Sequence, residues 1–381
     1  MDSVTSKTIS KGGSQIILVG GQPIPLLLGF LEFQPESVQL LFTKQSRGQA
    51  AQLKDIFAEH GATITDHPIP HNRVQRIKAV IDEIIVDAKG PITINLTGGT
   101  KLMSIAAYDA AKTKSIASFY VDGRSDSVYN LSTDELHPLS AEISIEDCFR
   151  TQGQVPQEGV NVRELPDTTW DLLDDIGKLY FDWGVNKLRN KLMKTYSKGL
   201  QVGSSLDLGQ QRFRWDSGGI SLKLKTRDYY WKDPLAAKML FEGRYLEYLV
   251  AKRFSDVLGE EFEIQVGFKA GFTDPSIASE EKNEIDVLVK RGRQLFFVEC
   301  KTGSVKKQHI DKLAVIRRRY GGEFAQSILV HSDKNLPSEL REQCEDNSII
   351  RVPFSVQNRQ IDDQNIKMAG NNLKSIKQYE F

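Results

Sequence analysis

Between residues 15 and 121, short apolar runs alternate with segments whose apolar positions recur every three to four residues. Gln15–Val19 (QIILV), Val38–Phe42 (VQLLF), Ile92–Leu96 (ITINL) and Ala117–Val121 are the runs, and the first is stopped by Gly20-Gly21. Such runs, bounded by turn residues, predict buried strands. Ala50–Glu59, Arg73–Asp87 and Leu102–Lys112 have helical spacing; in the second, Val74, Ile77, Val80, Ile81, Ile84 and Ile85 fall on one stripe. Buried strands alternating with amphipathic helices predict an α/β fold with a parallel, Rossmann-like sheet. The most apolar stretch, Ile24–Leu31, contains Pro25 and is far too short to span a bilayer.

Past residue 150 the pattern changes. Thr151–Gly159 is rich in Gly, Gln and Pro and reads as a hinge, followed by a helical run over Trp170–Trp183. A connecting subdomain follows, with a hairpin whose arms are Arg212–Trp215 and Ile220–Leu224 and whose turn is Asp216-Ser217-Gly218-Gly219. The last third predicts a helix over Gly243–Phe254 and strands near Phe262–Phe268, Glu284–Val289 and Leu295–Cys300. A helix over Gln308–Tyr320 and a strand over Ser327–His331 come next. The expected division is therefore 1–150, 151–239 and 240–381, the last a second α/β domain. The polar tail after 355 predicts no element.

Composition narrows the classes. The 381 residues are 40% hydrophobic and 26% charged, as in a soluble globular protein of two or three domains. Fifty Lys+Arg against fifty Asp+Glu exclude a uniformly basic nucleic-acid coat. The balance hides an alternation. Residues 186–232 carry eleven Lys/Arg against three Asp, 252–286 nine Asp/Glu against four Lys/Arg, and 287–325 ten Lys/Arg against three acids. Residues 1–14 lack an apolar core, so no secretory signal is expected. Cys148, Cys300 and Cys344 lie too far apart for a disulfide framework or a zinc knuckle, which points to the cytoplasm.

Candidate chemistry starts with Glu284-Ile285-Asp286-Val287 and Val298-Glu299-Cys300-Lys301. These read as two arms of a hairpin around Gly292, with Asp286 and Glu299 as polar interruptions of apolar strands. Glu299 and Lys301 project to one side of their strand and Cys300 to the other. Two carboxylates and an ammonium suit a divalent-metal hydrolase. Asp286 and Glu299 would hold the ion, helped by a backbone carbonyl such as that of Cys300, and Lys301 would position the attacking water. A second constellation, Thr97-Gly98-Gly99-Thr100-Lys101-Leu102-Met103, closes the strand Ile92–Leu96 and opens a helix. Its glycines permit close ligand approach and the helix start offers free N–H groups to phosphate. It is neither a GxxxxGK[ST] loop nor a GxGxxG fingerprint. A tight strand–helix connection is the competing explanation.

Both constellations resemble known families. The D-(x)12-E-x-K spacing of Asp286, Glu299 and Lys301 resembles the PD-(D/E)xK signature of restriction-endonuclease-like nucleases, with Ile285 in place of the usual Pro. Gly243–Glu247 is similar to that superfamily's first helix, which implies that Glu247 reaches the metal through water. Asn95–Met103 resembles the signature of CARF domains, the CRISPR-associated sensors of cyclic oligoadenylates. Gly20-Gly21-Gln22-Pro23 and Thr43-Lys44-Gln45-Ser46 match the other expected walls of that pocket. Together the halves resemble the Can/Card-type ancillary nucleases of type III CRISPR systems. That resemblance implies a homodimer gated by a cyclic oligoadenylate, most often cyclic tetra-adenylate. It also implies Mn²⁺- or Mg²⁺-dependent cleavage of DNA, RNA or both. The activator would meet Gly21, Gln22, Pro23, Thr43, Lys44, Thr97 to Lys101 and Met103. Two alternatives stay open: a ligand-gated nucleic-acid-binding regulator, and a ring nuclease that degrades the activator.

Lesser candidates remain. His67-Pro68-Ile69-Pro70-His71 cannot place both imidazoles on one helical face. His309 is expected at a helix start, and Phe213, Trp215, Tyr229, Tyr230 and Trp231 lie among basic residues as core or as base-stacking groups.

Overall fold

The computed structural model describes residues 9, 11–123, 125–180, 182–196, 199–272, 283–332, 336–355 and 360–361. In the N-terminal part the strands are β1 (Ser14–Leu18), β2 (Ser37–Phe42), β3 (Thr63–Pro68), β4 (Ile92–Asn95), β5 (Ala117–Asp122), β6 (Ser127–Asn130) and β7 (Glu135–Pro138). They form one sheet in the order β3-β2-β1-β4-β5-β6-β7. The first five are parallel; β6 and β7 add on antiparallel. Helices α1 (Pro23–Phe33) and α2 (Arg47–Glu59) cover one face, α3 (Val74–Asp87) and α4 (Lys101–Lys114) the other. Along β1, Ile17 packs under α1 while Ile16 and Leu18 pack under α4. Burial on both faces is why these strands read as unbroken apolar runs.

The predicted parallel sheet is thus present; besides the antiparallel β6 and β7, it has two elements the pattern did not reveal. Helix α1 is buried nearly all round, from Pro23 to Phe30, so it has no polar face to give a period. Strand β3 (TITDHP) is an edge strand with mostly exposed side chains, so no apolar run marks it.

Residues read as a hinge are instead a strand. After α5 (Ile145–Arg150), β8 (Gln154–Asn161) forms the edge of the C-terminal sheet, largely exposed and paired on one side only. An exposed edge needs no apolar alternation, which is why the segment resembles a loop. Helices α6 (Asp167–Tyr180) and α7 (Trp183–Thr195) then lead to a four-stranded antiparallel sheet. Its strands are β9 (Ser205–Asp207), β10 (Arg212–Asp216), β11 (Gly219–Lys223) and β12 (Asp228–Trp231). The β10–β11 pairing is the predicted hairpin.

The C-terminal sheet comprises β13 (Phe262–Phe272), β14 (Asn283–Arg291), β15 (Gln294–Lys301), β16 (Ala325–His331), β17 (Ile349–Ser355) and β18 (Gln360–Ile361), in the order β18-β17-β16-β15-β14-β13-β8. After α8 (Leu235–Phe241), α9 (Tyr245–Val257) packs on one face and α10 (Lys307–Tyr320) on the other; α11 (Ser338–Asp346) precedes β17. The connecting residues are not a separate body. Phe213, Ile220, Leu222 and Phe241 share one core with α9 and with Val287 and Val298 of the C-terminal sheet. The opposite face of that sheet joins the N-terminal core through Phe149, whose ring lies 4.8 Å from Phe268 and 4.4 Å from Tyr320. Among the described residues no helix is long and apolar enough to cross a membrane. Apart from β18, the tail after 355 lies outside the described residues.

Candidate functional site

The hairpin of β14 and β15 is closed at its turn and open at its other end. Its ladder runs from Arg291↔Gln294 to Val287↔Val298 and stops there, so Asp286 and Glu299 are the next residue on each strand. Beyond that point β15 continues beside β16 and β14 beside β13. Where the arms part, the Cys300 N–H donates to Asp286 Oδ2 at 2.7 Å, a side chain replacing a ladder carbonyl. β14 also rolls here. Ile285 packs with Phe268 in the core under α10, whereas Val287 packs with Val266 under α9. On β13 the same change spans Gly267, whose φ of +63° a side chain rarely adopts.

Asp286, Glu299 and Lys301 therefore converge as the spacing predicted. Lys301 Nζ lies 2.5 Å from Glu299 Oε1 and 3.8 Å from Asp286 Oδ2, an ammonium set between two buried carboxylates. Lys312 Nζ of α10 approaches the other oxygen of Glu299 at 3.2 Å. Glu247 extends from α9 toward the same place, and its Oε2 is buried without a hydrogen-bond partner. Burial first, then the Asp286 charge, pushes Glu247 up to about 9. Burial and Glu299 push Asp286 up to about 6, against the pull of Lys301 and the Cys300 N–H. Burial alone would lower Lys301, but Asp286 and Glu299 outweigh it and hold the ammonium above its usual range.

Among the described residues no three His, Cys, Asp or Glu side chains form a ligand set by themselves. The donor chemistry nevertheless fits a hard divalent cation. Two carboxylates already share a cation, and a third offers an orphaned oxygen. The Cys300 thiol packs in the core beneath α9, where burial raises its pKa well above normal, so only its backbone is at hand for a metal. A cavity of about 480 Å³ opens over the site, walled by Glu242, Arg244, Glu247, Asp286 and Lys301 and by Met193 and Gly199 of the connecting residues. Arg244, Glu284 and Lys312 were not singled out by the sequence, because their helix and strand positions carry no distinctive spacing.

The second constellation occupies the switch point of the N-terminal sheet. Strand order reverses between β1 and β4, and ligands of open α/β sheets bind at the carboxyl ends of strands there. The loops after β1 (Gly20–Gln22), β2 (Thr43–Ser46) and β4 (Leu96–Thr100) all lie on that edge. Gly98 is required by packing: a Cβ would stand 2.3 Å from the Leu18 carbonyl oxygen. Thr97 Oγ1 accepts from the Val121 N–H at 2.9 Å, and Thr100 caps α4 by accepting from the Met103 N–H at 3.3 Å. Gly21, Gln22, Lys44, Thr100 and Lys101 are exposed, while Gly98 and Gly99 are half-buried. Met103 and Pro23 depart from expectation. Met103 is fully buried with Ala106 and Ala110 on the core face of α4, its sulfur accepting from the Thr100 N–H at 3.4 Å beneath the turn, and Pro23 is buried in the first turn of α1. Thr43 is buried too, its hydroxyl 3.3 Å from that of Ser46.

Of the lesser candidates, His67 pairs with Gln39 at 2.7 Å and His309 Nδ1 accepts from the Lys306 N–H at the start of α10. Phe213 is core, Trp215, Tyr229 and Trp231 pack against it, and Tyr230 is exposed.

The family model of the Card1 CARF domain matches residues 15–148. No curated protein matches the chain. Among solved structures, Can2 from Sulfobacillus thermosulfidooxidans in complex with cyclic tetra-adenylate aligns over 96% of this chain and 99% of its own, with a TM-score of 0.67 and 17% identity. Protein VC1899 from Vibrio cholerae aligns over 96% and 98%, with a TM-score of 0.71 and 16% identity. A type III CRISPR defence DNA nuclease activated by cyclic oligoadenylate aligns over 88% of this chain and 52% of its own, with a TM-score of 0.55 and 17% identity. At these identities the likeness is one of fold.

Proposed function

We propose that the chain is a cyclic-oligoadenylate-gated, metal-dependent endonuclease of type III CRISPR defence, acting in the cytoplasm on DNA or RNA strands. The observation that carries this is the meeting of Asp286, Glu299 and Lys301 at the open end of a hairpin, in a chain whose residues 15–148 match a CARF sensor. Asp286 and Glu299 would hold Mn²⁺ or Mg²⁺, with Glu247 contributing its unpaired oxygen through water. Such an ion polarises a phosphodiester oxygen and acidifies bound water. Lys301, released from between the carboxylates, orients the attacking water and offsets charge growing on the phosphorus-bound oxygens.

The activator, cyclic tetra-adenylate, sits across the exposed edge made by Gly21, Gln22, Lys44 and the Thr97–Lys101 turn. A two-fold symmetric ring suits a two-fold dimer. Helix α4, which opens at Lys101, exposes Leu102, Ile105 and Tyr108 as one stripe, and 58% of Ile105 is accessible. An apolar stripe running from the ligand edge supports a homodimer closed over the ligand. The test incubates the full chain with labelled plasmid, single-stranded DNA and RNA, with and without cyclic tetra-adenylate and manganese. Cleavage that needs both, and is lost in Glu299→Ala, is the expected result. Cleavage indifferent to the ring removes the sensor reading, and cleavage by Glu299→Ala removes this active site. Recovery of linearised adenylate would make the chain a ring nuclease as well.

A further inference from the structure

The active-site cavity is more acidic than a nucleic-acid site should be. Among the described residues that line it, Glu242, Glu247, Glu284 and Asp286 stand against two cations, Arg244 and Lys301. Lys301 is already engaged by Asp286 and Glu299. That leaves Arg244 to meet an entering phosphodiester.

The fold has made a place for this guanidinium. A Cβ at Gly267 would stand 2.6 Å from Arg244 Nη1, so the glycine that lets β13 bend also leaves the space the side chain fills. From there Nη2 reaches Glu284 Oε1 at 3.2 Å. Glu284 lies two residues before Asp286 on β14, with 43% of its side chain accessible. A pair whose acid is this exposed is weak. A guanidinium carries five donors in a rigid fork, matched to the paired oxygens of a phosphodiester.

We propose that Arg244 contacts a phosphate of the bound nucleic-acid strand, and that Glu284 holds it in place until the strand arrives. The inference rests on the nuclease reading of the cavity. On substrate entry Arg244 exchanges one carboxylate oxygen for phosphate oxygens, and Glu284 turns outward to water. The two partners therefore act in opposite directions. Arg244 favours the complex, while Glu284 competes with substrate for the same guanidinium.

A tie that only fastened α9 to β14 would behave differently, since either substitution would break the same bond with the same result. The experiment uses the full chain with cyclic tetra-adenylate, manganese and whichever labelled single strand, DNA or RNA, the wild type cleaves. Initial rates are measured against substrate and salt concentration. Arg244→Gln is expected to lower kcat/KM about ten- to a hundred-fold, the size of a lost charge-assisted hydrogen bond. Its log kcat/KM against log salt should be shallower by about 0.7, one phosphate's worth for a single strand. Arg244→Lys should recover part of the rate, and Glu284→Gln should raise kcat/KM. Parallel losses in Arg244→Gln and Glu284→Gln, or an unchanged salt slope, overturn the proposal while the nuclease stands. A wild type that cleaves neither single strand overturns this inference, and one that also leaves plasmid intact overturns the nuclease reading with it.

Discussion

Asp286→Asn separates a site built for an ion from one built for stability. In the folded chain the Asp286 carboxyl is raised from 3.8 to about 6 by burial and by Glu299. A raised carboxyl binds its proton more tightly folded than unfolded. Its contribution is therefore complete below pH 3.8 and lost as the pH climbs through about 6. At roughly 1.4 kcal/mol per pH unit, the charged form costs on the order of 3 kcal/mol above pH 7. Asparagine carries no such cost, and its Oδ1 can still accept the Cys300 N–H. Replacing a charged acceptor by a neutral one forfeits about 1 kcal/mol. The variant should then exceed wild type by about 2 kcal/mol at pH 8 in chelator. At pH 4 the two should be level or the order slightly reversed. Glu247 acts in the same direction, because the Asp286 charge is the second cause of its own elevation. Urea unfolding with EDTA at pH 4, 6 and 8 measures the difference. Manganese should reverse the order at pH 8, since an ion at 100 times its Kd adds about 2.7 kcal/mol to the protein that binds it. A variant less stable than wild type at pH 8 in chelator would refute the reasoning. So would equal stabilisation of both proteins by manganese.

Lys301→Ala should slow single-turnover cleavage by about 10²- to 10⁴-fold while leaving oligonucleotide affinity near wild type, measured by quench-flow and anisotropy; an unchanged rate makes the residue a bystander. Lys101→Glu reverses the one formal positive charge of the Thr97–Lys101 turn and should abolish cyclic tetra-adenylate binding by calorimetry together with stimulated cleavage; normal binding places the sensor site elsewhere. Asp126→Ala breaks the ion pair between Asp126 and Arg293 and should leave activator affinity intact while reducing stimulation about fivefold or more; full stimulation shows that the pair only fastens the two parts.

The N-terminal sheet was legible because four of its strands are buried on both faces and its helices α2 to α4 are amphipathic. Three of the exceptions share a cause. α1 is apolar on every side, while β3 and β8 are exposed edges, so none has the two-sided contrast that periodicity detects. The carboxylates stood out for the complementary reason, since Asp286 and Glu299 interrupt strands that are otherwise core. Arg244 and Lys312 gave no signal, because each acquires its role only when α9 and α10 fold onto the split hairpin. Met103, expected at the activator, is buried beneath the turn, and its burial was legible in the sequence. With Ala106, Ala107, Ala110 and Ala111 it marks the apolar stripe of α4, and that spacing outranks its nearness to the TGGTK turn.

On the proposed function, how a ring bound at one end would reach carboxylates at the other is a question of which parts are stiff. Thr97, in the turn proposed to hold the activator, accepts from the Val121 N–H of β5. β5 leads into the turn that carries Asp126, which pairs with Arg293, and Arg293 also donates to the Ala141 carbonyl at 3.3 Å. Arg293 lies in the two-residue turn of the β14–β15 hairpin. From Arg293 to Glu299 is six residues of strand, about 20 Å at roughly 3.3 Å per residue. The ladder from Arg291↔Gln294 to Val287↔Val298 keeps this stretch from flexing, and it ends one residue short of the carboxylates. The hairpin is thus held at its closed end by the Asp126–Arg293 pair, while past its ladder the arms are joined only by the Cys300 N–H bond to Asp286 and by Lys301 between the carboxylates. A small rotation of the clamp would alter the gap between Asp286 and Glu299 more readily than it would bend the ladder between. Contiguity by itself transmits nothing; both sites must bias the same two positions of one element. The hairpin is the element that touches both, so separating its clamp from the sensor should uncouple activator binding from cleavage without abolishing either.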